Sequence, residues 1–340
     1  MTTRAQQANT QRFSQHSPSD QAESLPRLDI AHLRRLVRQE LEQRRCGPSA
    51  CSYAGRCGES ESLYGLTGAV YTCAVLGLPL GDRAVRKEWA QRILAYRNDD
   101  GTFHGDDGPG HAVHMVLGAL NLLGQSIPED IGPLAPRQPK TLRSWLARHD
   151  WSSTHKELSS QTIPLLATGC VQTDWIEVFR GDIAERLDPS QPLATWCAPD
   201  APAWRVISCV YHILSAFDAG LLPYPQPDLL IDRMLGLGWD AVPDSEHRTQ
   251  CTDADWAWAL LRLVEHRPEH APRIFAAIRR VSARRVRAWN TAPEANLTLS
   301  THHLYCYLWS SAVFQSAVRD HYTAGYLRDT QNAPALCRLI

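Results

Sequence analysis

The apolar positions along the chain divide its helical segments into two kinds. In Ser62–Leu76, His111–Leu123, Leu158–Thr168, Trp204–Ala219, Thr252–Val264 and Thr301–Ala317, apolar residues cover most of the helical circumference. A helix that is apolar all round is a buried helix. Asp82–Tyr96 and Pro272–Arg287 instead mix Arg and Glu with apolar residues, the pattern of a helix with one face in solvent. No segment sustains the period-two alternation of a half-buried strand, so no substantial sheet is expected. Short loops rich in Gly, Trp, Asp and Pro separate the two kinds, and each carries an aromatic anchor. The anchors are Phe103 in NDDGTFHG, Trp151 in RHDWSS, Trp196 in LATWCAPD, Trp239 in LGWDAVPD and Trp289 in RAWNTAPE. They stand 48, 45, 43 and 50 residues apart, close to the period of helix-pair repeats, about 40 to 50 residues. The pattern predicts an all-α protein, an (α/α)6 toroid barrel of six inner and about six outer helices. Closure lets every repeat bury its apolar face against a neighbour. Residues 1–22 are polar and read as a disordered tail, residues 23–340 as a single toroid domain, with residues 23–60 capping the barrel.

Composition narrows the function classes. The chain of 340 residues is 44% hydrophobic and 21% charged, with a formal net charge of −1. Such a balance offers no bulk field to recruit nucleic acid or an anionic membrane. No run reaches the roughly 18 apolar residues of a membrane span, and the N-terminus carries no apolar signal segment. The 10 cysteines are scattered, several inside apolar helical patterns, which fits a reduced cytoplasmic setting better than a disulfide framework. Cys46, Cys51 and Cys57 are clustered, but their spacing is not that of a Cys-x2-Cys zinc knuckle. The basic run Arg279–Arg287 reads as a solvated outer-helix face. P-loop, GxGxxG, GxSxG and HExxH patterns are absent from the sequence, which argues against nucleotide, dinucleotide, serine-hydrolase and zincin chemistry.

Two segments carry candidate chemistry. CTDADWAWALLRL, residues 251–263, opens a buried helix with Asp253 and Asp255. One aspartate can cap the helix and stay ionised, since the N-terminus presents unpaired N–H groups and the positive end of the dipole. The other points elsewhere. A carboxyl among Trp256, Trp258 and apolar walls is disfavoured as an anion, as a general acid or base requires. The plainer alternative is that both are caps, because Thr-Asp-x-Asp is a common helix opening. STHHLYCYLWSS, residues 300–311, contributes His302 or His303. His111 and His114 share one helical face after Gly108-Pro109-Gly110 and suit proton transfer or anion binding. Arg205 opens an inner helix and is a candidate for holding a substrate anion bidentately. Tyr64 and Gln161 stand at analogous openings as hydrogen-bonding candidates. Trp204, Trp256, Trp258 and Tyr305 are candidates for the cavity lining.

ESLYGLTGAVYTCAVLG, NDDGTFHG and GHAVHMVLGALNLLG resemble the prenyltransferase and squalene-cyclase repeat. The likeness spans residues 61–124, recurs in Gly236–Glu265 and more weakly in Trp289–Ser316. Residues 125–200 share only the period. The resemblance implies the α/α toroid of the terpenoid cyclases and the protein prenyltransferase β subunits. CTDADW resembles the DxDDTA box of class II cyclases, with Asp255 at the proton donor's place and Trp256 where the third acid would be. It also resembles the DxC zinc segment of the β subunits, with Asp255 in place of the thiolate. STHHLYC resembles their HTCYC segment, with His302 at the zinc ligand's position. A site of Asp253, Asp255 and His302 is a hard donor set that zinc does not favour, so no cofactor and no tightly bound metal are expected. The leading expectation is a small-molecule cyclase or lyase of specialised metabolism, working by general acid–base chemistry on a substrate with an anionic group. The alternatives are a metal-dependent transferase with a small partner subunit, and a non-enzymatic toroid that binds a peptide or protein.

Overall fold

The computed structural model describes residues 27–104, 108–126, 128, 131, 134–187, 196–198, 200–241, 250–293, 297 and 300–321. The stretch read as an N-terminal tail lies outside them. Twelve α-helices are described, numbered here in chain order: α1 Ile30–Gln43, α2 Leu63–Leu76, α3 Arg83–Leu94, α4 Pro109–Leu122, α5 Pro139–Arg148, α6 Lys156–Ala167, α7 Thr173–Glu185, α8 Ala203–Ala219, α9 Pro227–Gly236, α10 Gln250–His266, α11 Ala271–Thr291 and α12 Thr301–Ala317. Short 3₁₀ turns occur at Trp239–Ala241, Pro268–His270 and Arg319–His321. Pairing of extended backbone among the described residues is confined to three isolated bridges. The fold is all-α.

The two kinds of helix are real. Every residue of α2 is buried, and α12 is buried from Thr301 to Gln315 except at His303. By contrast α1 buries only Ile30, Leu33, Val37 and Leu41, a single stripe. The contacts follow a simple rule. α2 packs on α4, α4 on α6, α6 on α8, α8 on α10 and α10 on α12, and α12 returns to α2. The odd-numbered α3, α9 and α11 pack against this cyclic set, while α5 packs on α7.

Helix starts are set by local chemistry. Asp29, Ser62, Asp82 and Ser300 accept hydrogen bonds from backbone N–H groups in the first turns of α1, α2, α3 and α12. Proline opens α4, α5 and α9, where a missing N–H costs nothing. Two glycines let the buried helices meet at these ends. A Cβ on Gly68 of α2 would stand 2.9 Å from the Thr301 backbone, and one on Gly110 of α4 would stand 2.9 Å from the Glu157 backbone. The start of α12 is held by Arg44 from the end of α1. Its buried guanidinium donates to Glu40, to the Thr301 hydroxyl and to the Leu297 carbonyl.

The aromatic anchors Phe103, Trp196 and Trp239 are buried in connecting segments as expected. Trp289 is not in a loop. The amphipathic run continues through it to Thr291, so it sits inside α11 and meets Tyr307 edge-on, with ring centroids 4.7 Å apart. The basic run also differs from the solvated face expected. Arg280 is exposed, but Arg285 is buried against Asp253.

Candidate functional site

A cavity of about 330 Å³ lies where the first turns of the buried helices converge. His111, His114 and Met115 come from α4, and Lys156 opens α6. Trp204, Ser208, Tyr211 and His212 come from α8, Cys251, Thr252 and Asp255 from α10, and His302, His303, Tyr305, Cys306 and Trp309 from α12. From α2, Tyr64 reaches the same cluster. Its hydroxyl lies 2.5 Å from His111 Nδ1, and its ring meets His302 edge-on at 5.2 Å.

Of the residues expected from sequence, Asp255, His111, His114, His302, His303, Trp204 and Tyr305 line this cavity, and Tyr64 braces it. Four do not arrive. Asp253 turns away from the cavity and is fully buried, accepting from Trp239 Nε1 at 2.9 Å and pairing with the Arg285 guanidinium. It is a structural ion pair between α10 and α11. Trp256 packs outward, its Nε1 donating to the Met234 carbonyl of α9 at 3.1 Å. Arg205 lies over the Trp204 ring at 5.2 Å, outside the cavity lining. Gln161 is likewise outside the lining, and its backbone carbonyl accepts from Ala135 N. Trp258 is buried against Tyr211, which lines the cavity. The cation that faces the cavity is Lys156, not Arg205.

The electrostatics follow from burial. His114 is buried, and neither of its ring nitrogens has a hydrogen-bond partner among the described residues. Burial pushes its pKa down to about 4, and Lys156 acts in the same direction. Burial holds His111 and His212 well below the usual value of 6.5 for the same reasons. Burial therefore favours the neutral form of all three imidazoles. Asp255 moves the other way. Burial raises it well above the usual carboxylate range, the neighbouring Cys251 adds to the rise, and Lys156 opposes it. Its charged form is disfavoured there.

The sequence reading did not single out Lys156, His212, Cys251 or Cys306 as site residues. The two cysteines come together with His302. Cys251 Sγ and Cys306 Sγ lie 3.8 and 3.7 Å from His302 Nε2, and the three donor atoms all lie within 4.8 Å of one another. Hydrogen bonds from the Cys306 thiol and from His302 hold the Cys251 sulfur well below the usual thiol pKa, against the effect of burial. The available signal was spacing: Cys251 precedes Asp255 by four residues and His302 precedes Cys306 by four, which puts each pair on one helical face. Cys46, Cys51 and Cys57 do not converge in this way. Each thiol donates to backbone carbonyls instead, Cys46 to Arg44 and Glu59, Cys51 to Val85 and Cys57 to Gln43. No helix among the described residues is long and apolar enough to cross a membrane. Compared with known proteins, the chain matches no family, no curated protein and no solved structure.

Proposed function

We propose that this chain is an α/α toroid whose cavity performs a cyclisation or elimination on a small molecule bearing an anionic group. The cyclic contact order of the even-numbered helices supports the toroid. The six helices would form its inner ring, as the resemblance to terpenoid cyclases and prenyltransferase β subunits implies. The observation that carries the reaction is His114. A buried imidazole with two unpartnered nitrogens is a costly feature in a folded protein, and this one faces a cavity. A ligand that hydrogen-bonds to it removes that cost.

The remaining groups suit proton transfer. A neutral imidazole takes a proton from the substrate, while Asp255 gives one to the departing or cyclising atom. One proton enters the protein and one leaves it, and exchange with solvent resets both groups after turnover. Lys156 forms no ion pair among the described residues and faces this cavity, so it is placed to hold the substrate's anionic group. A metal-dependent transferase with a partner subunit is the second reading, and the Cys251, His302 and Cys306 group favours it.

Binding tests the reading before any substrate is known. Inorganic phosphate, pyrophosphate and citrate are titrated into the full-length protein while thermal unfolding is followed. At least one should raise the midpoint saturably in wild type, and the shift should vanish in Lys156→Met. Absence of saturable binding by all three, or binding unchanged in Lys156→Met, removes the anion site. Once a substrate is found, Asp255→Asn should cut turnover by roughly 10² to 10⁴, and unchanged turnover assigns the chemistry elsewhere.

A further inference from the structure

We infer that Cys251, His302 and Cys306 form a zinc site in the cavity wall, with an open coordination position facing the cavity. This goes beyond the acid–base reading and does not depend on it.

The geometry is specific. Zinc bonds sulfur at about 2.3 Å and nitrogen at about 2.0 to 2.1 Å in a tetrahedral site, which sets the sulfur and nitrogen donors about 3.6 Å apart. The two separations between Cys251 and Cys306 Sγ and His302 Nε2 are 3.8 and 3.7 Å. Both sulfur-to-nitrogen separations are close to that spacing, and the three donor atoms lie within 4.8 Å of one another. Two helices supply them. Cys251 lies in the first turn of α10, while His302 and Cys306 share a face of α12, and α10 packs on α12.

The donor set selects the ion. Two thiolates and an imidazole are soft and borderline ligands, which favour zinc over magnesium, calcium or manganese. The set also differs from the acidic one suggested by sequence. Asp253 is committed to Arg285 and Trp239 on the far side of α10. Asp255 lies one turn beyond Cys251 and outside the group of three donors.

Three protein ligands leave the fourth tetrahedral position open, the arrangement of catalytic rather than structural zinc. All three ligands line the cavity, so the open position faces whatever the cavity binds. Zinc with two thiolates and a neutral imidazole carries no net charge. The open position therefore takes water or an anionic oxygen or sulfur donor of the substrate. Metal binding releases the remaining thiol protons to solvent, and no oxidation or reduction is involved.

The test reads metal directly. Full-length protein is purified under reducing conditions without chelator, and its zinc is measured by elemental analysis. About one equivalent is expected in wild type, falling below about 0.1 equivalent in Cys251→Ser, Cys306→Ser and His302→Ala. Asp255→Asn and Cys73→Ser should keep the zinc, because neither residue belongs to the donor group. Cobalt exchanged into wild type should show the thiolate charge-transfer and tetrahedral d–d bands, and these should weaken in either serine variant. Circular dichroism checks that each variant is folded. If a serine variant unfolds, the cobalt spectrum of wild type decides. Wild type that takes up neither zinc nor cobalt with its thiols reduced overturns the site, as does zinc retained in both folded serine variants. Anion binding that depends on Lys156 is scored separately, so either result can fail without the other.

Discussion

Asp253 and Asp255 stand two residues apart on α10, and both are buried. They face different regions of the molecule. Toward α11, Asp253 meets Arg285 and the Trp239 indole, and the Arg285 guanidinium lies 5.0 Å from the Tyr307 ring. The guanidinium and the indole N–H there offset the cost of burying the side chain. Toward the cavity, Asp255 has burial and the Cys251 sulfur against it and only Lys156 in its favour. A rotation of about 200° around one helix thus takes the same side chain from a buried ion pair to a site where burial disfavours its charged form. The partner on the facing helix decides which, not the residue type.

The largest effect expected from this contrast is on stability. Asp253→Asn removes the countercharge of a buried guanidinium. Breaking such a pair from one side costs about 3 to 5 kcal/mol. Denaturant unfolding should show the loss, with the slope unchanged, whereas Asp255→Asn should melt close to wild type because burial already disfavours the charged form of Asp255. Equal losses in both variants would mean that the two aspartates have the same role.

A second test compares the histidine wall of the cavity with the rest of the fold. His114 has a depressed folded pKa, about 4 against 6.5 unfolded. The unfolded chain therefore binds the extra proton first as pH falls. Stability is fully present above pH 6.5 and declines toward pH 4, by roughly 3 kcal/mol for this residue. His111 and His212 are shifted in the same direction, and Lys156 faces all three. Denaturation midpoints between pH 7.5 and pH 4.5 should fall in wild type, and less steeply in His114→Phe. A slope unchanged by that substitution would show that His114 is not buried in its neutral form.

The contrast also explains what could be read from sequence. Buried helices announce themselves by being apolar all round, so α2 and α12 were located to within a residue at each end. Trp289 was misplaced because a helix end marked by Pro293 and polar residues looks like a loop around an aromatic anchor. Helix openings are legible too, which is why Asp255, His111, His114 and His302 stand out in the sequence. Rotation about the helix axis was not legible. When nearly every position is apolar, no moment points to the cavity, so Asp253, Trp256 and Arg205 could not be told from residues that face it. Cys251 and Cys306 read as small core residues. Their relation to His302 exists only once α10 and α12 lie side by side.

The smallest effect expected comes from a second ion pair on α11, five residues before Arg285. Arg280 pairs with Asp240, but its side chain is 61% exposed against 6% for Arg285. Water screens the Arg280 charge, and fixing its long side chain costs rotamer entropy. The net contribution of an exposed pair is about 0 to 1 kcal/mol, and salt weakens it further. Arg280→Ala should therefore shift the denaturation midpoint little, and less again at high ionic strength. Arg285→Met should cost several times more, because Asp253 would remain buried without its partner. The double variant Asp253→Asn with Arg285→Met should lose less than the sum of the single losses, since it leaves no charge behind. A loss for Arg280→Ala as large as for Arg285→Met would show that burial does not separate these two pairs, and the same argument would then fail for Asp253 and Asp255.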